Sequence, residues 1–375
     1  MNPALLPPAE IGVHIDDVDT PALLVDLDAL EANLARMAAK VADTDVRLRP
    51  HAKAHKCPAI GLRQIAAGAK GLCCQKVGEA EAMVAAGIDN VLVTNQIVGA
   101  RKLRRVAALA RQSWVGVCVD HAEHVRQANE AALAVQASIN VLVEINVGAN
   151  RCGVEPGDPA LELARQVAAA PGLRFAGLQA YHGSAQHLRT PAEREAAIAE
   201  ACAKTRATVD LLERNGMPCD IVTGAGTGTH ELEAASGVYN ELQVGSYVFM
   251  DADYTRNKVD GDRPFNEFEP SLFVLCSVIS MPDEHRRVVD AGLKSQAFDS
   301  GMPEVCWQGA TYARPSDEHG IITLTADSPP LRLGDKVRLF PGHCDPTVNL
   351  YDWIVGVRRD RVECLWPVSA RGANR

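Results

Sequence analysis

Between about residue 20 and residue 260, short apolar runs alternate with longer segments in which apolar residues recur every three or four positions. The short runs predict strands and the longer segments predict amphipathic helices. This alternation favours a (β/α)₈ barrel, with an open doubly wound sheet as the alternative. No glycine-rich dinucleotide fingerprint follows the first strand, which weakens that alternative. The predicted strands cover residues 22–25, 46–48, 71–75, 90–94, 115–119, 140–146, 175–181, 221–224 and 242–249.

Two of the predicted helices carry recognisable ends. Asp26 stands as an N-cap before apolar residues spaced three and four apart, from Leu27 to Val41. Thr190 and Glu193 form a capping box with Pro191 at the first helical position, and Asn215-Gly216 ends that helix.

After about residue 265 the pattern changes to strands without long helices between them. These strands are predicted at residues 272–279, 287–289, 321–325, 336–339, 354–358 and 362–365. The pattern predicts two domains: a barrel over residues 20–262 and a mostly β C-terminal domain over residues 263–375. Residues 1–19 are the candidate segment for completing the second domain.

Composition and charge exclude several classes of partner. The chain of 375 residues has a net charge of −9 and no basic run, which argues against nucleic acid and anionic membranes. No apolar stretch reaches the length of about 20 residues that spans a bilayer, and the N-terminus lacks the layout of a signal peptide. The eleven cysteines lie scattered in apolar segments, as in a reducing compartment. We therefore expect a cytoplasmic protein.

Lys53 is the first candidate for chemistry. It lies in the run RPHAKAHK, residues 49–56, directly after a predicted strand. The carboxyl ends of barrel strands are where such folds keep their active sites. Burial and neighbouring cations are expected to lower the pKa of Lys53 and favour its nucleophilic amine, which can form a Schiff base. The alternative is a surface loop with several basic residues.

Two small-residue turns follow late strands of the predicted barrel. Residues 223–229 read TGAGTGT and residues 245–247 read GSY. Backbone N–H groups of such turns can approach an anion closely, and late barrel loops often bind phosphate. The pattern indicates a phosphate cradle, with a plain glycine-rich connection as the alternative.

Further polar candidates lie at other predicted strand ends and near the C-terminus. Tyr181 and His187 follow one strand and Arg151 follows another, where imidazole suits acid–base work and guanidinium suits an anion. His343 and Asp345 would share one face if their segment is extended, with Cys344 facing away. Imidazole and carboxylate suit Mg²⁺, Mn²⁺ or Zn²⁺, although a polar turn before Pro346 would look the same.

Together these motifs resemble the D-threonine aldolase family, among the alanine racemase-like pyridoxal-phosphate proteins of fold type III. The resemblance covers almost the whole chain. It rests on residues 19–21 (DTP), 49–56 (RPHAKAHK), 151–153 (RCG), 181–184 (YHGS), 224–228 (GAGTG), 317–320 (DEHG) and 343–347 (HCDPT). The related D-serine dehydratases typically carry His-x-Cys at the last motif, so Asp345 favours the aldolase branch.

The resemblance implies a set of roles. Lys53 would hold pyridoxal 5′-phosphate covalently, and His187 would act as the base at the β-hydroxyl. The phosphate and ring contacts would come from Arg151, Tyr181, Gly226, Thr227, Ser246 and Tyr247. His343 and Asp345 would bind a divalent metal, Mn²⁺ or Mg²⁺, and the enzyme would be a homodimer.

The implied activity is metal-activated retro-aldol cleavage of D-β-hydroxy-α-amino acids, such as D-threonine to glycine and acetaldehyde. Alternatives within the same enzyme group are a 3-hydroxy-D-aspartate aldolase and a D-serine or 3-hydroxyaspartate dehydratase. A different class is a non-catalytic pyridoxal-phosphate-binding protein, which would resemble the barrel alone. The motif at residues 343–347, outside the predicted barrel, argues against that class.

Overall fold

The computed structural model describes residues 6–375, so the first five residues of the predicted completing segment 1–19 lie outside it. In the barrel, eight strands run parallel in the order β2-β9-β8-β7-β6-β5-β4-β3. Their bounds are β2 Arg47–Leu48, β3 Leu72–Cys74, β4 Asn90–Gln96, β5 Trp114–Val119, β6 Ile139–Glu144, β7 Leu173–Gln179, β8 Ile221–Gly224 and β9 Glu241–Leu242. The predicted barrel is thereby confirmed, and the open sheet is not adopted.

The two ends of this sheet meet. Lys70 donates its N–H to the carbonyl of Leu48 at 2.7 Å, and Cys73 donates to Pro50 at 2.8 Å. These bonds continue the parallel pairing beyond β2 and close the sheet on itself. Closure leaves no free edge and directs all strand carboxyl ends to one mouth.

Helices surround the barrel because their apolar faces pack against the outside of the strands, except for the short helix Ala252–Thr255, which lies at the mouth. They are α1 Leu27–Val41, α2 Pro58–Ala66, α3 Val77–Ala85, α4 Ala100–Ala110, α5 Ala122–Ala134, α6 Asp158–Ala169, α7 Pro191–Arg214, α8 His230–Ala235 and α9 Ala252–Thr255. The predicted ends are confirmed for two of them. Asp26 Oδ1 accepts from the N–H groups of Asp28 and Ala29, and Thr190 and Glu193 form the expected capping box.

The far end of the barrel, away from the mouth, is filled. Arg49 is buried inside it, and its Nε donates to Glu241 Oε1 at 2.8 Å. Its guanidinium also lies 4.8 Å from the centre of the Trp114 ring. Arg49 is therefore a structural ion pair within the barrel and not a cation beside Lys53. Because the far end is occupied by side chains, a ligand can enter the barrel only at the mouth.

The second sheet has nine strands and is mostly antiparallel. It contains β1 Ala22–Asp26, β10 Leu272–Ser280, β11 Arg286–Val289, β12 Glu304–Val305, β13 Ala310–Pro315, β14 Gly320–Leu324, β15 Lys336–Phe340, β16 Trp353–Arg358 and β17 Arg361–Pro367. The short helix α10, Cys344–Val348, follows β15. This confirms the mostly β C-terminal region.

Two strand predictions need correction. The strand at residues 22–25 exists, but it pairs with β10 and β16 in the second sheet instead of opening the barrel. The predicted strand 242–249 is reduced to β9, because residues 246–248 turn into a 3₁₀ helix at the mouth. The boundaries 20–262 and 263–375 stay predictions. Within residues 6–375, no helix combines the length and the apolar character needed to cross a membrane.

Candidate active site at the barrel mouth

A cavity of about 220 Å³ opens at the carboxyl ends of the barrel strands. Six of the residues predicted from sequence line it, namely Lys53, Arg151, Tyr181, Gly226, Thr227 and Ser246. Six more lining residues were not predicted: His51, Gln75, Thr94, Gln179, Gln243 and Tyr254. Several of these are polar residues in or just after barrel strands, a position that could have identified them.

Lys53 reaches the mouth from a 3₁₀ turn, Ala52–Ala54, which follows β2. The turn is capped by His51, whose Nδ1 accepts from the Lys53 N–H at 3.4 Å. The Lys53 ammonium contacts Asp345 Oδ2. Burial alone lowers the pKa of Lys53, but the Asp345 carboxylate more than offsets this and raises that pKa above its ordinary value. The predicted lowering of the Lys53 pKa is therefore wrong in this arrangement.

The neighbouring basic residues do not compete with Lys53 for the cavity. Lys56 has a positive φ of 50° and is buried, and its Nζ donates to Glu79 Oε1 at 2.5 Å. His51 is held neutral because burial and the Lys53 charge lower its pKa to about 3. Since His51 Nδ1 accepts a hydrogen bond, its Nε2–H donates to Gln75 Oε1 at 3.0 Å. Lys53 is thus the lysine presented to the cavity.

The two small-residue turns pack tightly below the cavity. Ala225 has a φ of 66°, an unfavourable left-handed conformation of the kind found at functional sites. A Cβ added to Gly226 would lie 2.5 Å from Gln186 Oε1, which already accepts from the Gly228 N–H at 2.9 Å. Thr227 Oγ1 accepts from the Tyr247 N–H at 3.0 Å and so connects the two turns. Glycine is required at residue 226 because Gln186 occupies the space that a side chain would need.

Tyr247 differs from the other predicted cradle residues. Its side chain is 2% exposed, packs against the Phe268 ring and accepts from Gln64 Nε2 at 3.1 Å. Within residues 6–375 only its backbone lies toward the cradle, through the bond to Thr227. The Tyr247 phenol therefore does not line the cavity.

Arg151 and Tyr181 form one side of the cavity. The Arg151 guanidinium lies 5.7 Å from the centre of the Tyr181 ring, within the range of a cation–π contact. Burial raises the pKa of Tyr181 despite the charges of Lys53 and Arg151. Tyr181 is therefore a neutral hydrogen-bond donor at neutral pH, and Arg151 brings a positive charge to the wall.

His187 lies just outside the residues that line the cavity. Its Nδ1 lies 2.6 Å from Asp253 Oδ2, and a carboxylate can only accept, so Nδ1 carries the proton and Nε2 keeps a lone pair. Asp253 is also held by Arg189, and it directly precedes the lining residue Tyr254 in the chain. The His187 ring lies 5.8 Å from the Tyr254 ring. The arrangement orients His187 as a proton acceptor near the mouth.

His343 and Asp345 come to the same mouth from the second sheet. The extended conformation considered for this segment is not adopted: His343 precedes helix α10, and Asp345 lies in its first turn. His343 Nδ1 donates to Asp299 Oδ2 at 2.6 Å, which leaves Nε2 as a lone pair for a ligand. Burial raises the pKa of Asp345, but the Lys53 ammonium outweighs this effect and holds that pKa below its ordinary value.

Cys344 between these residues is buried, and its Sγ lies 3.3 Å from Asp345 Oδ1. Burial and the charges of Asp251 and Asp345 raise the pKa of this thiol well above its ordinary value, and a neutral thiol is a poor metal ligand. Within residues 6–375, no group of three His, Cys, Asp or Glu ligand atoms lying within 4.8 Å of one another includes His343 or Asp345. A metal held by this pair would take its remaining ligands from water and substrate.

This geometry fits a lysine-bound pyridoxal phosphate. The amine of Lys53 and the glycine-rich cradle line one cavity, and backbone N–H groups of such a cradle can bind a phosphate. The pair His343 and Asp345, with Asp299 behind the imidazole, also has the donor chemistry of a divalent metal site.

Comparison with known proteins gives the same assignment over nearly the full chain. Residues 25–253 match the family model for the N-terminal domain of alanine racemase, and residues 271–357 match that for a putative serine dehydratase domain. The D-threonine aldolase of Arthrobacter sp. is 49% identical over 99% of this chain and 98% of its own. A 3-hydroxy-D-aspartate aldolase of Paracoccus denitrificans (strain Pd 1222) is 44% identical over 97% of this chain and 95% of its own.

A solved structure extends this similarity to three dimensions. The crystal structure of D-threonine aldolase from Filomicrobium marinum superposes with a TM-score of 0.95 at 53% identity. The match covers 98% of this chain and 99% of the other. The chain therefore belongs to the D-threonine aldolase family of alanine racemase-like, pyridoxal-phosphate-dependent proteins of fold type III.

Proposed function

We propose that the protein is a metal-activated aldolase that cleaves D-β-hydroxy-α-amino acids, taking D-threonine to glycine and acetaldehyde. The observation that carries this proposal is the contact between Lys53 and Asp345. Through it, an amine suited to hold the cofactor and a carboxylate suited to hold a metal meet at one point. A substrate with an amino group and a neighbouring hydroxyl requires both functions side by side.

Lys53 is the residue proposed to hold the cofactor, with Gly226, Thr227 and Ser246 around the phosphate. When bound, pyridoxal phosphate delocalises the electron pair left on the α-carbon after the Cα–Cβ bond breaks. The cavity that these residues line opens at the strand ends, where the surrounding side chains can orient the substrate. Tyr247 contributes through its backbone, by holding Thr227 in position.

Arg151 is proposed to face the pyridine nitrogen, with Tyr181 beside the cofactor. A guanidinium has no acceptor and keeps its charge, so it can only donate to that nitrogen, which then stays unprotonated. An unprotonated ring withdraws electrons less strongly. Catalysis then depends more on stabilising charge at the substrate hydroxyl, which is the role proposed for a metal held by His343 and Asp345.

His343 and Asp345 are proposed to bind Mn²⁺ or Mg²⁺ beside the β-hydroxyl. When bound, the ion lowers the pKa of a coordinated oxygen. His187 is proposed to accept the hydroxyl proton at Nε2, directly or through a water. Its Nδ1–H to Asp253 holds the ring in the required tautomer and stabilises the positive charge that proton transfer creates.

A second candidate, 3-hydroxy-D-aspartate aldolase, is supported by the Paracoccus relative at 44% identity. The two substrates differ only in the group on the β-carbon, so the same residues would serve both. Dehydration of D-serine or 3-hydroxyaspartate is the remaining alternative within this group. It would require loss of the hydroxyl as water and removal of the α-proton.

Product identification tests the proposal. The purified protein is incubated with D-threonine, D-serine or 3-hydroxy-D-aspartate, with and without Mn²⁺. Glycine together with an aldehyde, dependent on Mn²⁺, is expected. Pyruvate or oxaloacetate together with ammonia would show a dehydratase. Absence of turnover with all three amino acids would favour a non-catalytic pyridoxal-phosphate-binding protein. The cytoplasmic location and the homodimer stay predictions from the sequence.

A further inference from the structure

His230 is placed as a metal ligand at a point that the proposed reaction does not use. It begins helix α8, directly after the glycine-rich turn. Its Nδ1 lies 3.0 Å from the carbonyl oxygen of Thr227, and a carbonyl can only accept, so Nδ1 carries the ring proton. Burial lowers the pKa of His230 and keeps the ring neutral. The remaining nitrogen, Nε2, therefore carries a lone pair.

The Nε2 lone pair of His230 is buried and accepts no hydrogen bond from the described residues. His230 is 3% exposed, and among the described residues Nε2 has no hydrogen-bond partner. The carboxylate atom Glu267 Oε2 lies 3.7 Å away. Both atoms are acceptors, so neither satisfies the other, and a cation between them would satisfy both.

Glu231 completes a three-ligand group. The ligand atoms of His230, Glu231 and Glu267 all lie within 4.8 Å of one another, the one such group in residues 6–375. Ligands at about 2.0–2.2 Å from a shared ion lie at most about 4.4 Å apart, so a small adjustment of the side chains suffices. A neighbouring cavity of about 170 Å³, lined by all three residues, has room for water to complete the coordination.

Lys40 of helix α1 currently bridges the two carboxylates. Its Nζ lies 2.5 Å from Glu231 Oε1 and also contacts Glu267 Oε1. One ammonium beside two carboxylates leaves a net charge of −1. The Lys40 ammonium donates no hydrogen bond to His230 Nε2. The Lys40 side chain is only partly buried and can turn toward solvent.

We propose that His230, Glu231 and Glu267 bind a divalent transition-metal ion, with Lys40 occupying the carboxylates in its absence. One imidazole and two carboxylates suit Zn²⁺, Co²⁺ or Mn²⁺ better than Ca²⁺, which prefers a larger number of oxygen ligands. The ion would join the helix behind the phosphate cradle to the segment that leads into the second sheet. Its role would be structural and separate from that of His343 and Asp345.

The test counts Zn²⁺ bound per chain in the full-length protein loaded with pyridoxal phosphate. Wild type is expected to bind two equivalents, Glu231→Gln one, His343→Ala one, and the double variant none. Glu231 is an exposed side chain, so its substitution should leave folding intact, which a thermal melt checks. Glu195→Gln is the matched control, because Glu195 lines the same cavity but is not in the ligand group, and it should still bind two equivalents.

Lys40→Ala separates a metal site from a simple salt bridge. If the carboxylates bind a metal, removing the competing ammonium should tighten Zn²⁺ binding at this site, whereas Glu231→Gln should abolish the equivalent bound there. The proposal is overturned if Glu231→Gln retains both equivalents, or if Lys40→Ala leaves the affinity unchanged or lower. Loss of the His343-dependent equivalent alone would bear on the proposed catalytic metal and not on this site.

Discussion

The identity of the cofactor lysine can be tested by a matched pair of substitutions, Lys53→Ala and Lys56→Met. The two lysines are three residues apart, but the structure places them differently. The Lys53 side chain is 41% exposed at the cavity, and that of Lys56 is 8% exposed and paired with Glu79, itself 2% exposed. We expect only Lys53→Ala to remove the near-visible absorbance of lysine-bound pyridoxal phosphate and to abolish turnover.

The order of the two substitutions should be reversed for stability, with Lys56→Met lowering the free energy of unfolding more than Lys53→Ala. Removing one partner of a buried ion pair costs about 3–5 kcal/mol. Glu79 keeps hydrogen bonds from the N–H groups of Gln75 and Lys76, so the lower end, about 3 kcal/mol, is expected for Lys56→Met. Lys53 is partly exposed, so solvent screens its pair with Asp345 and its loss should cost about 1 kcal/mol or less.

Two measurements check this pair. Absorbance spectra after saturation with pyridoxal phosphate report the covalent link, and urea unfolding without added cofactor reports the free energy of unfolding, because bound cofactor would itself stabilise the fold. Lysine-to-arginine substitution at residue 53 is a charge-matched control that should also lack the absorbance. A Lys53→Ala protein that keeps the absorbance, beside a folded Lys56→Met protein that loses it, would refute the assignment.

Three further predictions follow from the site and its surroundings. His187→Asn should lower kcat by roughly 10²–10⁴ while cofactor absorbance persists. The alternative base is His182, the histidine directly after Tyr181, and an unaffected kcat beside an inactive His182→Asn enzyme would transfer the role to it. His343→Ala should abolish activation by Mn²⁺ in a titration and leave the absorbance intact, whereas Asp345→Ala should also alter cofactor binding, and equal spectra for the two variants would contradict the contact seen here. Burial lowers the pKa of His55 to about 4, so as the pH falls from 6.5 to 4 only the unfolded chain takes up a proton at this residue, and the free energy of unfolding falls by about 1.4 kcal/mol per pH unit. In His55→Asn, the free energy of unfolding in urea should therefore fall by about 2 kcal/mol less between neutral pH and pH 5 than in wild type. Parallel pH profiles of the two proteins would contradict this prediction.

Local patterns in the sequence were sufficient for the barrel and its helix ends. The Asp26 cap and the Thr190 capping box depend on residues within four positions of each other, so their hydrogen bonds are encoded locally. Lys53, Tyr181 and Gly226 were predicted to lie together because each is at or just beyond the end of a predicted strand, and parallel strands bring their carboxyl ends to one mouth.

Sequence patterns failed where long-range packing decides the outcome. Strand 22–25 has the same apolar pattern wherever it pairs, and only the partners β10 and β16 place it in the second sheet. Tyr247 lies in the cradle turn with Gly245 and Ser246, yet its phenol packs against Phe268 in the core. The partners β10, β16 and Phe268 are all distant in sequence from the residues they contact, so local patterns could not predict these contacts.

Electrostatics at the site depended still more on the tertiary structure. The sequence by itself determined which residues carry amine, imidazole and carboxylate groups, and which strand ends present them. It placed Lys53 among basic neighbours and so predicted a lowered pKa, whereas folding pairs Arg49 with Glu241 and Lys56 with Glu79 and brings Asp345 to Lys53 across 292 positions. A pKa responds to charges within a few ångströms regardless of sequence separation, so only the folded chain decides which charges those are.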